Sequence, residues 1–368
     1  MKAKAWILSE GANFRLGEFD IPKRQPGQAL VEPIYICWEA NMSHAIAADP
    51  VDVCKYRNES SVVIGNAGVV RILEIDSPSD ATLRPGQLCT FFALPSEGVY
   101  SAWPAYGYDA AGTIGLLAEK TLVLESQLRP IRDDSKLTLP EWAAFSLRYV
   151  TAWANWRVAH TVYGAMAPQS NQAPHVWAWG GGVSLALLQL ARLAGFDTSM
   201  ISSRDHKLEL ISASGIRPID RRKFMHLDAR NGHTQLYQQS ENLFLQQVRD
   251  ITNGNGVSIF ADFIGTPVFP ATLKALAVPG VMTTAGWLEG MDIHFNRAIA
   301  CMRWQTHVHT HYGLRRDVDE AIAFAEAHAW RPTVRDQDIV PWERLSDTVS
   351  EYERGDSGYY PILQVNPL

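Results

Sequence analysis

The stretch HVWAWGGGVSLALLQLARLAGFDTSMISSRDHK, residues 175–207, constrains this chain more than any other. Residues 176–179 form a short apolar run that stops at Gly180, Gly181 and Gly182. Val183, Ala186, Leu187, Leu190, Ala191 and Ala194 then keep the i, i+3, i+4 spacing of one helix face. Gly195 closes that helix as a C-cap glycine does, and a second apolar run follows. Strand, glycine turn, helix and strand make a βαβ unit. The unpaired N–H groups and the positive end of the dipole at the helix start then form a cradle for a phosphate.

Length and order fit a dinucleotide fold, with departures from the G-x-G-x-x-G fingerprint: Trp179 takes the first glycine position and Ser184 the third. The end of the second strand selects the cofactor. A ribose 2′-hydroxyl calls for Asp or Glu there, whereas a 2′-phosphate calls for neutral and basic donors. Ser202, Ser203, Arg204 and, one turn on, Lys207 supply two hydroxyls, a guanidinium and an ammonium, so the cofactor read from the sequence is NADPH. The plainer reading is a solvated loop with incidental cations, and Asp205 beside Arg204 keeps it open.

Around this unit the pattern changes twice. Residues 1–140 hold short β-like runs (AKAWIL, QALVEPIYI, VVIGNAGVVRILEI, QLCTFFAL, LLAEKTLVL) broken by turns such as Arg84-Pro85-Gly86, as in a compact antiparallel domain. Residues 141–305 alternate apolar strands with helical stretches, as a doubly wound parallel sheet requires. Residues 306–368 are expected to return to the first domain. A net charge of −6, with 33 basic and 39 acidic residues spread along 368, provides no broad positive field, so nucleic acid is not an expected partner. No apolar run reaches the roughly 20 residues of a membrane span, and charges at Lys2, Lys4, Glu10 and Arg15 interrupt the start. A cytoplasmic protein is the simplest expectation. Cys37, Cys54, Cys89 and Cys301 form no CxxC pair and read as reduced thiols.

Several motifs in sequence order resemble the medium-chain dehydrogenase/reductase superfamily. Residues 65–70 (GNAGVV) resemble its GHE segment, Arg84-Pro85-Gly86-Gln87 its R-P-G-D turn, and residues 115–120 (GLLAEK) its GxxAEY strand. Thr151-Ala152-Trp153 resembles the helix start before the cofactor domain, GGVSLALLQLARLAG the family's GGVGxxAxQLAKxxG, and YPILQVNP its last strand. The resemblance implies a Rossmann doubly wound sheet inserted into a GroES-like, mostly β catalytic domain. It also implies an active site in the cleft between them and, commonly, a homodimer.

The same motifs lack the family's zinc ligands. Asn66 and Ala67 stand where His and Glu would, and of the usual ligand set only Cys37 remains. Cys37 with His44 makes a poor two-ligand site, and Cys37 is read as core. His307, His309 and His311 share one face of a strand, which a partly exposed strand explains without a metal. No metal is therefore expected.

The branches that fit reduce an activated C=C bond, in an enone, quinone or enoyl thioester. Hydride goes to the β-carbon, and positioned donors stabilise the enolate. A short likeness to the enoyl-thioester reductases, including reductive carboxylases, lies in Asn41 and in Tyr106-Gly107-Tyr108-Asp109. It implies that Asn41, Tyr108 and Asp109 line the substrate end, with His311 reaching it from the returning segment. The plainer reading makes Tyr108 and Asp109 a turn and Asn41 a loop hydrogen-bonder. Gly265, Gly286 and Trp287, at the ends of later strands, are candidates for the nicotinamide half, with Thr151, Gly180, Gly181, Gly182, Val183 and Ser184 around the rest of the cofactor. Trp38, Trp103 or Trp287 would give an apolar wall for a bulky, conjugated small-molecule substrate. Two alternatives stay open: a metal-free carbonyl or alcohol oxidoreductase, and a non-catalytic nucleotide-binding homologue in which Trp179 crowds the pyrophosphate turn.

Overall fold

The computed structural model describes residues 1–11, 13–76, 82–94, 104–167, 172–232, 234–286, 288–290, 292–310 and 313–368. These divide into two compact units, Met1–Arg148 with Leu314–Leu368, and Tyr149–Gly313.

The first unit begins with strands β1 (Lys2–Ser9), β2 (Asn13–Asp20) and β3 (Gln28–Cys37), then helices α1 (Ala40–Ala47) and α2 (Val53–Arg57). Strands β4 (Ser61–Val63), β5 (Ala67–Glu74), β6 (Leu88–Phe92), β7 (Thr121–Leu124) and β8 (Leu128–Pro130) follow, and helix α3 (Leu139–Met166) carries the chain out of the unit. β1 is the centre of a three-stranded sheet between β2 and β4. Its inner residues Ala5, Ile7 and Leu8 join the same core as Val31, Ile36, Val70 and Phe91.

The second unit continues with β9 (His175–Trp179), α4 (Gly182–Leu193), β10 (Asp197–Ser202), α5 (Asp205–Ala213) and β11 (Arg217–Asp220). Then come α6 (Gln235–Ile251), β12 (Val257–Ala261), α7 (Phe269–Ala275), β13 (Leu276–Thr284), α8 (Arg297–Met302) and β14 (Gln305–His309). The six strands are parallel in the order β11-β10-β9-β12-β13-β14, the doubly wound order in which the connections reverse direction between β9 and β12. Strands buried on both faces need no polar alternation, and β9 and β12 are buried at every residue. Because Gln305–His309 completes this sheet, the unit runs to Gly313.

The chain then re-enters the first unit through α9 (Arg315–His328), β15 (Ile339–Pro341), α10 (Leu345–Arg354) and β16 (Ile362–Gln364). β16 pairs antiparallel with β3, extending a sheet ordered β15-β16-β3-β5-β6-β8, with β7 also on β3. Among the described residues no helix is long and apolar enough to cross a membrane, and the four cysteines are free thiols, three of them buried.

Candidate functional site

In the second unit the glycine turn stands where the sequence places it. Gly181 caps α4 with φ at +151°, a conformation that L side chains rarely adopt, and a Cβ on Gly180 would lie 3.0 Å from the Ile201 carbonyl oxygen. Gly181 brings no side chain to the first turn of the helix, so nothing from the cap itself competes with an anion there. Ser184 is fully buried just inside, and its Oγ has no hydrogen-bond partner among the described residues. Val183, beside it, is half-buried.

Trp179 does not crowd this turn. Strand alternation sends it to the same face as Trp177, where its ring packs against Phe244, Phe260 and Phe224 at 5.3, 5.8 and 6.5 Å between centroids. Its Nε1 donates to Thr272 Oγ1 at 2.8 Å, and the side chain is only 1% exposed. The concern that a tryptophan at the first glycine position blocks a pyrophosphate is thereby removed.

Ser202 ends β10 and Ser203 and Arg204 follow it, exposed, at the start of α5; Lys207 is half-buried one turn along. The acid that complicated this segment is engaged elsewhere: Asp205 pairs with Arg222 at 2.6 Å, and Arg222 also pairs with Asp220 at 2.8 Å. Hydrogen bonds from Arg222 hold both carboxyls below their usual range. One residue escaped the sequence reading. Ser202 pairs in register with Asp220, so Arg221 begins beside the serines, and its guanidinium lies over the Trp179 ring, 5.8 Å from the centroid. A basic residue directly after a strand adjacent to the phosphate strand was the available signal.

At the end of β12, Asp262 accepts from the Ile264 and Gly265 N–H groups at 3.0 Å each, closing a tight turn. Gly265 has φ at +101°, and a Cβ there would come within 2.9 Å of the Gly290 carbonyl oxygen. Leu288 and Glu289 donate backbone hydrogen bonds to Phe263 and Ile264, so the segments after β12 and β13 form one edge, with Gly286 half-buried beside it. Thr151, on α3, is mostly buried; its carbonyl accepts from Asn155 Nδ2 at 2.9 Å, and Asn155 Oδ1 accepts from Thr283 Oγ1 of β13 at 3.0 Å. His307 and His309 share Thr284 Oγ1, at 3.3 and 2.9 Å. Trp103, Trp287 and His311 lie outside the described residues.

In the first unit three glycines interlock. Gly65 N–H donates to the Gly107 carbonyl at 2.9 Å, and a Cβ on Gly107 or Gly115 would sit 2.3 or 2.2 Å from backbone atoms of Gly65 or Ile64. This draws the loop of Tyr108 and Asp109 onto the segment of Asn66. Asp109 Oδ1 accepts from the Ala105 N–H at 2.6 Å, so Asp109 does close a turn. Burial, and then the neighbouring Asp109, push the Tyr108 phenol up to about 12. Asn41, in the first turn of α1, and Asn66 each hold a buried Oδ1 with no partner among the described residues.

Glu39, directly before α1, was also missed. Its Oε2 accepts from Arg148 Nε at 2.7 Å, both side chains being at most 5% exposed. Arg148 further donates to the Trp38 carbonyl at 2.6 Å and to the Tyr359 carbonyl. Burial pushes the Glu39 carboxyl up against the pull of Arg148, and burial pushes the adjacent Cys37 thiol well up. Among the described residues no three His, Cys, Asp or Glu side chains gather as a metal would need.

Residues 182–327 match the family described as zinc-binding dehydrogenase. The chain is 26% identical over 255 residues to the crotonyl-CoA reductase of Streptomyces collinus, covering 69% of this chain and 53% of that protein, so it spans about half the length of that relative. Among solved structures, a 2-octenoyl-CoA carboxylase reductase, CinF, in complex with NADP and 2-octenoyl-CoA superposes with a TM-score of 0.84 at 17% identity, over 99% of this chain and 87% of that one. The alcohol dehydrogenase of the hyperthermophilic archaeon Aeropyrum pernix gives 0.78 at 17% identity, over 98% and 100%. At such identities the structural likeness speaks for the fold. With the parallel six-stranded sheet, its glycine turn and the family match over residues 182–327, the second unit is similar to the zinc-binding dehydrogenase domain, and the fold of the chain is that of the carboxylase reductase and alcohol dehydrogenase it superposes on.

Proposed function

We propose that the protein is an NADPH-dependent oxidoreductase that reduces the activated C=C bond of an enoyl thioester without zinc. The observation that carries the cofactor is the end of β10, where Ser202, Ser203, Arg204 and Lys207 stand together while Asp205 is paired with Arg222. The orphan hydroxyl of Ser184 beneath the glycine turn supports it, since a buried polar atom without a partner marks a place for a ligand or water. The thioester follows from the likeness to crotonyl-CoA reductase.

NADPH bound at this turn supplies a hydride for the β-carbon. Gly180, Gly181 and Gly182 let the backbone approach the pyrophosphate, and Thr151, Val183, Gly265 and Gly286 line the remaining cofactor positions, with Trp287 kept as a candidate from the sequence. Asn41 and Tyr108 are the donors for the thioester oxygen as negative charge develops there. With its phenol pushed up to about 12, Tyr108 keeps its proton at neutral pH and donates. Asp109 positions Tyr108 by closing the turn. His311 remains the candidate for proton delivery to the α-carbon.

Zinc, which the matched family's description implies, does not fit these residues. Asn66 and Ala67 occupy the positions of two ligands, and the Arg148 guanidinium brings positive charge to the neighbourhood of Cys37. A homodimer in the cytoplasm belongs to the same proposal. β14 is an edge strand, and Val278, Ile299, Met302 and Trp304 near it are 57%, 48%, 76% and 59% exposed, an apolar set suited to a second copy. Sedimentation equilibrium is expected to give a dimer that Trp304→Glu shifts towards monomer; a monomeric wild type rejects that assembly.

The activity is tested by following NADPH oxidation with crotonyl-CoA, a simple enone and a quinone, with and without a zinc chelator. Saturated acyl-CoA as product, at a rate the chelator leaves unchanged, is the expected result. Allylic alcohol from the enone points to carbonyl reduction instead. Tight NADPH binding without turnover of any of them points to a non-catalytic homologue.

A further inference from the structure

The doubly wound sheet reverses between β9 and β12, and the residues at those two strand ends are joined by a chain of side chains. Ala261 pairs with Ala178 in register, so Asp262 and Trp179 face each other one step beyond. Trp179 Nε1 donates to Thr272 Oγ1 at 2.8 Å, and Thr272 Oγ1 donates to Asp262 Oδ2 at 2.9 Å. Asp262 Oδ1 holds the turn of Ile264 and Gly265.

We propose that Asp262 is a positioning residue for the nucleotide crevice. Through Thr272 it ties the strand end that launches the glycine turn to the turn after β12, and its ionisation sets how tightly the crevice takes a pyrophosphate. The proposal rests on the dinucleotide reading above.

A threonine hydroxyl has one proton, and two acceptors lie within reach of it: Asp262 Oδ2 and the Val268 carbonyl oxygen, at 2.9 and 3.1 Å. With Asp262 ionised, the hydroxyl points to the carboxylate. With Asp262 protonated, the carboxyl donates to Thr272 Oγ1 and the hydroxyl turns to Val268. Both states leave every partner satisfied, so the joint accepts a proton without breaking. Burial pushes the Asp262 carboxyl up to about 6, against the Gly265 N–H, Thr272, the Ile264 N–H and the charge of Arg221. Among the described residues, the charges on the elements around it include Lys274 of α7, paired with Glu241 of α6, Arg230, paired with Asp228 and Glu289, and Arg249 and Asp250 of α6, both bonded to Gln246. A pyrophosphate arriving at the same strand ends repels the carboxylate and raises its pKa further. Binding therefore takes up a proton, and affinity falls as pH rises through the free-state value.

The test is calorimetric titration of NADPH into the wild type, Asp262→Asn, Thr272→Val and Thr272→Ser from pH 5 to 8. The ligand's own 2′-phosphate titrates near pH 6, but that contribution is common to all four proteins and cancels in ratios of affinity. We expect the wild type to match Asp262→Asn at pH 5 and to bind about tenfold more weakly at pH 8, one like-charge contact's worth. Thr272→Val removes a donor to the carboxylate, so its midpoint moves to higher pH, and Thr272→Ser restores it. A ratio that is flat with pH, or a Thr272→Val midpoint equal to that of the wild type, overturns the proposal while the nucleotide reading stands. Wild type that binds neither NADPH nor NADH overturns the nucleotide reading, and this one with it.

Discussion

Arg148→Met is expected to lose about 3–5 kcal/mol of folding stability, the range for breaking a buried ion pair from one side. The guanidinium neutralises Glu39 and satisfies the carbonyl oxygens of Trp38 and Tyr359, and it lies 5.9 and 5.6 Å from the ring centroids of Tyr352 and Tyr360. It thus ties the start of α1 to the segment before β16, both in the first unit. Methionine fills much of the volume but leaves a carboxylate in an apolar site with one oxygen, Oε1, already lacking a partner. The penalty comes chiefly from that stranded charge rather than from a lost attraction. Glu39→Gln added to Arg148→Met is therefore expected to recover most of the loss, whereas Glu39→Gln alone, which leaves Arg148 its two carbonyl partners, costs less than Arg148→Met. Urea denaturation of the four proteins measures this cycle. Equal losses for Arg148→Met and the double variant would show that the carbonyl hydrogen bonds, and not the Glu39 charge, make Arg148 necessary.

Such a pair shows where sequence reading runs out. The βαβ unit was legible because its signals are local: three glycines, a helical spacing of apolar residues and a capping glycine all fall within 21 residues, 175–195. The later strands that end near Gly265 and Gly286 were placed by resemblance to the family, and their runs VSIFA and VMTT are largely apolar or β-branched, as suits a sheet buried on both faces. β2 was not legible, because NFRLGEFD lies on an exposed edge where no residue is fully buried and apolar alternation has nothing to enforce it. Glu39 and Arg148 are 109 residues apart, and nothing in either neighbourhood announces the other. Trp179 kept a non-catalytic alternative open because a motif register says which position a residue fills but not which face of the strand its side chain takes. Strand alternation settled that, and turned the apparent defect into the donor of the Thr272 hydrogen bond.

At the cofactor site the largest expected effect is on discrimination. Arg204→Ala is expected to weaken NADPH binding by about ten- to a hundredfold, the loss of one or two charge-assisted phosphate hydrogen bonds, and to leave NADH binding unchanged. Arg204 is exposed at the start of α5, so its removal touches no core and the fold is expected to persist. NADH is the internal control, because it shares every group of NADPH except the 2′-phosphate. A fall in both nucleotides would mean that Arg204 shapes the strand end rather than contacting the phosphate. Raising the salt concentration should weaken NADPH binding to the wild type more than to Arg204→Ala, since the variant has lost one of the screened interactions. If Arg204→Ala leaves the preference for NADPH intact, the next candidate cation is Arg221, already seated on the Trp179 ring beside Ser202. Arg221→Ala then carries the loss instead. If none of Arg204→Ala, Arg221→Ala and Lys207→Ala changes the preference, the 2′-phosphate is not read at the end of β10, and the assignment of NADPH over NADH fails with it.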